Sequence, residues 1–473
     1  MKINHLNIIV FILLGCLLGG CKKQLNVLPS TQEVDGNIIT DQQSALTALN
    51  GVYYRFAHAG NDFNGVPSTF WYDVNEEIPS LLSGMVTNPL GSTGLDAHTY
   101  TSTTWQMDSL WAYGYAIVNA ANGFLKNIEP VQTITSSTKN EMIAEARFLR
   151  AFGNSELLLY FGQYNDTTSS LGIILQNEFV TPADLQLPRS PVAASYDTIL
   201  SDLDRAIPDL PSTNTTVAYT NSWAAKLLKA RVLINRGSAA DYTEVISLTQ
   251  DIIANGPFSL QPNLQDLFWI AGLTSPEVIL GVQPYSTQLV KWKDYIYYVQ
   301  YGSSALMDTL LSGDPRSAWE AQTINSAYGT YPAVTKYYPG SITTIAWQLI
   351  SENCYAFRLT ESYLLEAEAI VASGGALGDA RTLLKTVLGH AGVTNFTAVD
   401  AAATPAALQL QIIEEEMRNF VLEAGQDWFA VRRLPFTTLQ NLLPTVTSKS
   451  LLLLPIPDAE MTANSKMVQN PNY

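Results

Sequence analysis

The sequence predicts a mainly α protein: amphipathic helices in consecutive pairs, a helical scaffold carrying long irregular inserts and a few short strands. Three observations carry this. Apolar residues recur at three- and four-residue intervals through most of the chain. Two stretches, 60–104 and 256–352, lose that period and gain Gly, Pro, Asn, Ser and aromatic residues. Hydrophobic residues at 47% against charged residues at 14% describe a chain that folds around a sizeable core.

Residues 1–20 read as a secretory leader: Lys2, an apolar run from Ile8 to Leu18, then Gly19-Gly20 ahead of Cys21. The run is too short for a spanning helix. Leu17 to Cys21 (LLGGC) resembles a bacterial lipobox, in which the cysteine receives a diacylglycerol, the chain is cut before it and the new amine is acylated. Buried acyl chains, at roughly 0.8 kcal/mol per CH2, would hold a folded body on a membrane. Cys21 is therefore the expected lipidation site and residues 21–40 a tether with a short N-terminal segment.

Asp41 is a plausible N-cap for a helix carrying Ala45, Leu49, Val52 and Phe56. Further helices are expected at about 105–128, 138–161, 193–207, 219–236 and 241–255, and again at 357–373, 376–389 and 405–424, the last continuing to about 433. SPEVILGVQ, in the second insert, reads as a buried strand. The pair LTESYLLEAEAIVASGG and ALGDARTLLKTVLGHAG looks like a tetratricopeptide-type hairpin, although no strict repeat runs through the chain. Phe148, Phe152, Tyr160, Tyr363, Phe420 and Trp428 fall at helical spacing and are expected in the core.

The net charge of −16 argues against nucleic acid. One cysteine, Cys354, remains outside the leader and lipobox, and His58, His98 and His390 are scattered, so no metal site, cofactor or His-based triad is expected. Glu414, Glu415, Glu416, Glu423 and Asp427 lie on one helical stretch and cannot face each other across a sugar, as glycoside hydrolysis requires. With Arg418, Arg432 and Arg433 beside them they read as ion pairs, as do Glu361, Glu366 and Glu368. No catalytic residue is assigned.

Aromatics and amides are in surplus, with 23 Tyr, 16 Phe and 9 Trp. Flat rings beside neutral polar groups suit ligands with hydroxyls and CH faces. Loop rings with polar neighbours are therefore the candidate binding residues: Trp71, Tyr72, Asp73 and Asn75 in the first insert, and Trp292, Tyr295, Trp319 and Trp347 in the second. Trp71, Tyr72 and Trp292 lead that set. The plainer reading of most such rings is that they pack the loops onto the helices.

The lipobox, LNVLP at 25–29, EARFLRAFGNSELLLYFG at 145–162, FRLTESYLLEAEA at 357–369, EEEMRNFVLEAGQDWFAVRRL at 414–434 and LLPIPDAEMTANSKMVQNPNY at 453–473 together resemble the SusD/RagB family of outer-membrane nutrient-binding lipoproteins. The resemblance implies tetratricopeptide-like hairpins packed against an irregular, loop-rich half, in an N-terminal region 41–255 and a C-terminal region 256–473 with helices over 357–434. It implies a partner, a SusC-like TonB-dependent transporter over which the lipoprotein sits as a lid. The ligand would be a glycan oligomer or sometimes a peptide, held at the outer membrane facing the exterior. The acidic charge favours neutral glycans. Lys22-Lys23-Gln24 departs from the acidic pair often found in surface-export signals of such bacteria, so exterior display rests on the family. The rival functions are peptide capture, a surface glycosidase and a purely structural helical scaffold.

Overall fold

The structure, a computed structural model, describes residues 38–58, 71–180, 185–284, 289–326 and 328–473. The leader, Cys21 and most of the tether lie outside the described residues. Ten helices form the scaffold: α1 (Gln42–His58), α2 (Trp105–Ile128), α3 (Ser136–Phe161), α4 (Val192–Ala206), α5 (Ser222–Arg236), α6 (Ala239–Asn255), α7 (Leu359–Ala372), α8 (Leu377–His390), α9 (Pro405–Phe420) and α10 (Gln426–Val431). Successive helices pack as hairpins, α2 on α3, α5 on α6 and α7 on α8, and α6 also packs against α7, joining the two halves of the chain. The chemistry of their ends is local. Asp41 accepts from the Ser44 N–H at 2.8 Å, Asn221 caps α5 through the Ala224 N–H at 2.9 Å, and Gly237 closes α5 at a φ of 71°.

The α2–α3 crossing is tight because two glycines meet there. A Cβ on Gly153 would stand 2.9 Å from the Gly114 carbonyl oxygen, and one on Gly114 would stand 2.5 Å from Leu157. Gly153→Ala is therefore expected to lower stability despite alanine's helix preference of about 1 kcal/mol, since overpacking costs about 1–3 kcal/mol. Urea unfolding checks this, and an unchanged midpoint would contradict the close crossing.

The strands form three antiparallel pairs: β1 (Val86–Thr87) with β3 (Gly302–Ser303), β2 (Val278–Val282) with β6 (Cys354–Arg358), and β4 (Ala321–Ser326) with β5 (Gly329–Val334). β2, the strand expected from SPEVILGVQ, is buried along its length, and so is β6, which carries the buried Cys354.

Two expectations change. The first insert is not loop throughout: Asp73–Glu77 forms a π-turn and Ile78–Leu82 a helical turn, every residue of both buried, because Val74, Ile78, Leu81 and Leu82 insert into the core. The helix expected over 405–433 breaks between Phe420 and Gln426. Lys336 Nζ donates to the carbonyls of Asn419 (2.7 Å) and Val421 (3.0 Å), Tyr337 donates to that of Leu422 (2.6 Å), and the chain turns through left-handed Leu422, Ala424 and Gly425.

Ion pairing absorbs most of the helix carboxylates. Glu415 pairs with Arg316 at 2.9 Å, Glu416 and Glu368 share Arg433, Glu361 pairs with Arg231, and Glu423 holds Lys336 and Arg358. Glu366 and Glu414 depart from it, accepting from the Gln250 and Gln411 amides at 3.0 and 3.1 Å, and two further residues depart as well. Asp427 accepts from the Ser80 and Ser83 hydroxyls, at 2.5 and 2.7 Å, and from no cation. Arg432 has no carboxylate partner among the described residues and donates to the Leu159 and Leu452 carbonyls, at 2.7 and 2.9 Å.

Candidate functional site

One segment of the second insert combines rigid support with exposed rings. Val290–Trp292 is a helical turn that runs into a π-turn over Lys293–Tyr297. Its inner face is locked. Lys291 Nζ lies 2.9 Å from Glu76 Oε2, donates to the Asn353 carbonyl at 2.7 Å and sits 3.3 Å from the centre of the Tyr337 ring. The Tyr295 hydroxyl donates to the same Glu76 carboxylate at 2.9 Å, and the backbone N–H groups of Lys291 and Trp292 both donate to Glu352 at 2.9 Å. The segment is thus pinned by one carboxylate from each half of the chain.

Its outer face is aromatic. A π-turn bonds i to i+5, which brings residues five apart onto one side. Trp292 and Tyr297 accordingly meet at 5.5 Å between ring centres. Tyr297 meets Tyr298 at 5.0 Å, and Tyr298 meets Tyr328 at 5.4 Å across from the β4–β5 turn. Tyr328 is 55% exposed and Tyr297 37%. The half-buried Trp347 approaches the Glu352 carboxylate, outside hydrogen-bond geometry, so it stands near the anchored end of this segment.

The remaining candidates from the sequence lie beneath the surface. Trp71 is 0% exposed, stacked on Phe152 at 5.8 Å and edge-on to Phe56 at 4.8 Å, so neither of its faces is open to a ligand. Trp319 is buried against Trp269 and Phe268, and Tyr295 is buried on Glu76. Asn75 is buried with its amide on the Tyr113 hydroxyl at 3.2 Å. Tyr72 and Asp73 are also buried, in a carboxylate cluster under the ring segment. These six therefore support the surface and do not form it. The physical reason is that Trp71–Glu77 is a core segment, in which polar side chains face the underside of the second insert.

In that cluster the Tyr72 hydroxyl lies beside Asp294, and the Tyr301 hydroxyl beside Glu77. Burial, with Asp294 adding to it, pushes Asp73 from 3.8 up to about 7; burial, with Glu352 adding to it, pushes Asp294 up to about 7. Glu77 is raised by burial and then by Asp294 and Asp73. Acids raised on folding bind more protons in the folded state, so their contribution to stability is full in acid and is lost as pH rises from about 4 through 7. Asp73→Asn should accordingly lose less melting temperature than the native chain between about pH 5.5 and 8. Parallel melting curves across that window would contradict the cluster.

Sequence reasoning named KWKDYIYYVQYG as a ring-rich segment but chose Tyr295 over Tyr297 and Tyr298, and it missed Tyr328. The available signal was the hairpin itself, since two alternating runs, AQTINS and GTYPAV, flank a two-residue turn that must display Tyr328. Among the described residues no group of three or more His, Cys, Asp or Glu is placed to hold a metal ion.

Comparison with known proteins decides the family. A family model described as starch-binding, associating with the outer membrane, matches residues 32–234, and the SusD family model matches residues 312–443. The chain belongs to the SusD/RagB family. Among its relatives is SusD-like protein P2 of Formosa agariphila, 21% identical over 78% of this chain and 81% of that one. A SusD-like protein of Bacteroides ovatus is 23% identical over 55% of this chain and 46% of its own length. Solved structures share the fold. A SusD superfamily protein from Parabacteroides distasonis has a TM-score of 0.74 at 19% identity, over 92% of this chain and 100% of that one. A laminarin-binding SusD-like protein has 0.72 at 20% identity, with the same coverage of both chains. The helical hairpins and loop-rich half expected of a SusD-like chain are the fold observed.

Proposed function

We propose that this SusD-like chain is a non-catalytic lipoprotein, anchored through Cys21 at the outer membrane and facing the exterior. It captures an oligosaccharide or polysaccharide and passes it to a SusC-like TonB-dependent transporter. The observation that carries the reading is the ring surface made by exposed Tyr297 and Tyr328 with half-buried Trp292 and Tyr298, on a segment pinned by Glu76 and Glu352. Rings held rigidly pay little entropy on binding and stack on the CH faces of sugars. Trp292 and Trp347 are the ligand contacts retained from the sequence set. The laminarin-binding relative and the starch-binding description of the matching family model support a glycan over a peptide. Non-catalysis is supported by the carboxylates: Asp73 and Glu77 are buried and Asp294 half-buried beside them in one cluster beneath the ring surface, not across a cleft from one another.

The test is calorimetry of the full-length protein in detergent against neutral and anionic polysaccharides and peptides, with thin-layer chromatography of the same mixtures and co-purification from membranes of the native host. Binding of a neutral glycan without cleavage, together with a co-purifying barrel, is expected. Cleavage would overturn the binding-protein reading, and binding confined to peptides would overturn the glycan.

A further inference from the structure

A pocket of about 310 Å³ lies away from the ring-bearing segment, between residues 163–166, just after α3, and residues 470–472. Gln163, Tyr164, Asn165, Lys449, Asn470 and Asn472 line it. Two buried guanidinium groups stand behind its wall, and neither has a carboxylate partner among the described residues. Arg189 places its N–H groups on neutral oxygens: the carbonyls of Gly172, Val468, Phe161 and Leu171, and the Asn470 side chain at 2.8 Å. Arg432 is 5% exposed and packs 4.5 Å from the centre of the Tyr164 ring; it donates to the Leu452 carbonyl through Nη1, while its Nε and Nη2 have no partner. Tyr164, Leu452 and Asn470, all part of the pocket, are thus the groups these two cations touch.

An unpaired buried charge is costly, and the carbonyls and rings around these two guanidiniums offset part of that cost without cancelling the charge. The nearby acids do not pair with them. Burial pushes Glu156 up to about 8, which leaves it largely neutral at pH 7. Asp166, which also lines the pocket, accepts from the Thr168 N–H and hydroxyl, at 3.0 and 2.6 Å, bonds that hold it below the usual carboxylate range, so it keeps its charge but pairs with neither guanidinium. With Lys449 in the lining, three cations stand in or behind the pocket against the single charge of Asp166, on a chain of net charge −16, and low-dielectric walls focus such a field on an incoming anion. Amides and a tyrosine around it match hydroxyls beside the charge.

We propose that this pocket is a second ligand site, separate from the ring surface, that takes the carboxylate of an acidic sugar. The sequence-wide charge favours neutral ligands, whereas this local arrangement selects an anionic one.

Calorimetry of the full-length protein in detergent tests it with three probes: digalacturonate, its methyl ester and acetate. Digalacturonate is expected to bind, the neutral ester at least ~10-fold more weakly, which corresponds to about 1.4 kcal/mol. Lys449→Glu, at an exposed rim position, should weaken digalacturonate by a similar factor. Tyr297→Ala/Tyr328→Ala should leave it unchanged, which separates this site from the ring surface. No binding, equal binding of acid and ester, or indifference to Lys449→Glu would overturn the proposal. Displacement by acetate at the same concentration as digalacturonate would overturn the sugar assignment.

Discussion

Glu423→Ala is expected to destabilise the protein by about 3–5 kcal/mol, the cost of leaving buried charge without its partner. Glu423 receives Lys336 Nζ at 2.6 Å and the Arg358 guanidinium, and all three side chains are at most 2% exposed. Arg358 reaches on to Glu277, the residue before β2, at 2.5 Å. One carboxylate therefore ties the C-terminal end of α9, β6 and the segment after β5 together. Burial alone would raise its pKa, but Arg358 and Lys336 outweigh burial and hold it below the usual carboxylate range. Such a group stabilises above its unfolded pKa and loses that contribution as pH falls through the folded one. Urea unfolding at neutral pH measures the effect; Glu423→Gln, which keeps acceptor oxygen but not charge, should cost less. A loss below about 1 kcal/mol in Glu423→Ala would show that the two cations find other partners.

The second large effect concerns binding. Tyr297→Ala/Tyr328→Ala should weaken glycan binding at least ~10-fold, about 1.4 kcal/mol, while leaving the melting temperature nearly unchanged. Both rings are exposed, so their removal opens no core cavity. Trp71→Ala should do the reverse: it removes a fully buried indole packed on Phe56 and Phe152, and deletions of that kind cost about 3–5 kcal/mol. Calorimetry and thermal melts on the same samples separate the two outcomes. Loss of binding in a stably folded Trp71→Ala variant would return that ring to the binding surface.

Periodicity made the scaffold legible, and caps refined it. Asp41 marked the start of α1 from its own side-chain chemistry. The break after Phe420 was not legible, because its cause is a lysine more than 80 residues earlier in the chain that takes the last carbonyls of α9. The inserts were harder still. Residue type marks a ring as able to stack on a sugar, but only tertiary packing decides which face it shows. Trp71 and Trp292 have similar polar neighbours in sequence; Phe152 of α3 covers one, while the π-turn after the other leaves it beside Tyr297 at the surface. Arg432 makes the same point for charge: it sits in a run of acids and arginines that pair, yet its own neighbours in space are rings and carbonyls.

The most direct test of the central claim is a crystal structure with the glycan that binds most tightly in the calorimetric screen. The account predicts an intact sugar chain with ring carbons within about 4.5 Å of Trp292, Tyr297, Tyr298 or Tyr328. An intact glycan seated elsewhere, with these four rings uncontacted, would contradict it.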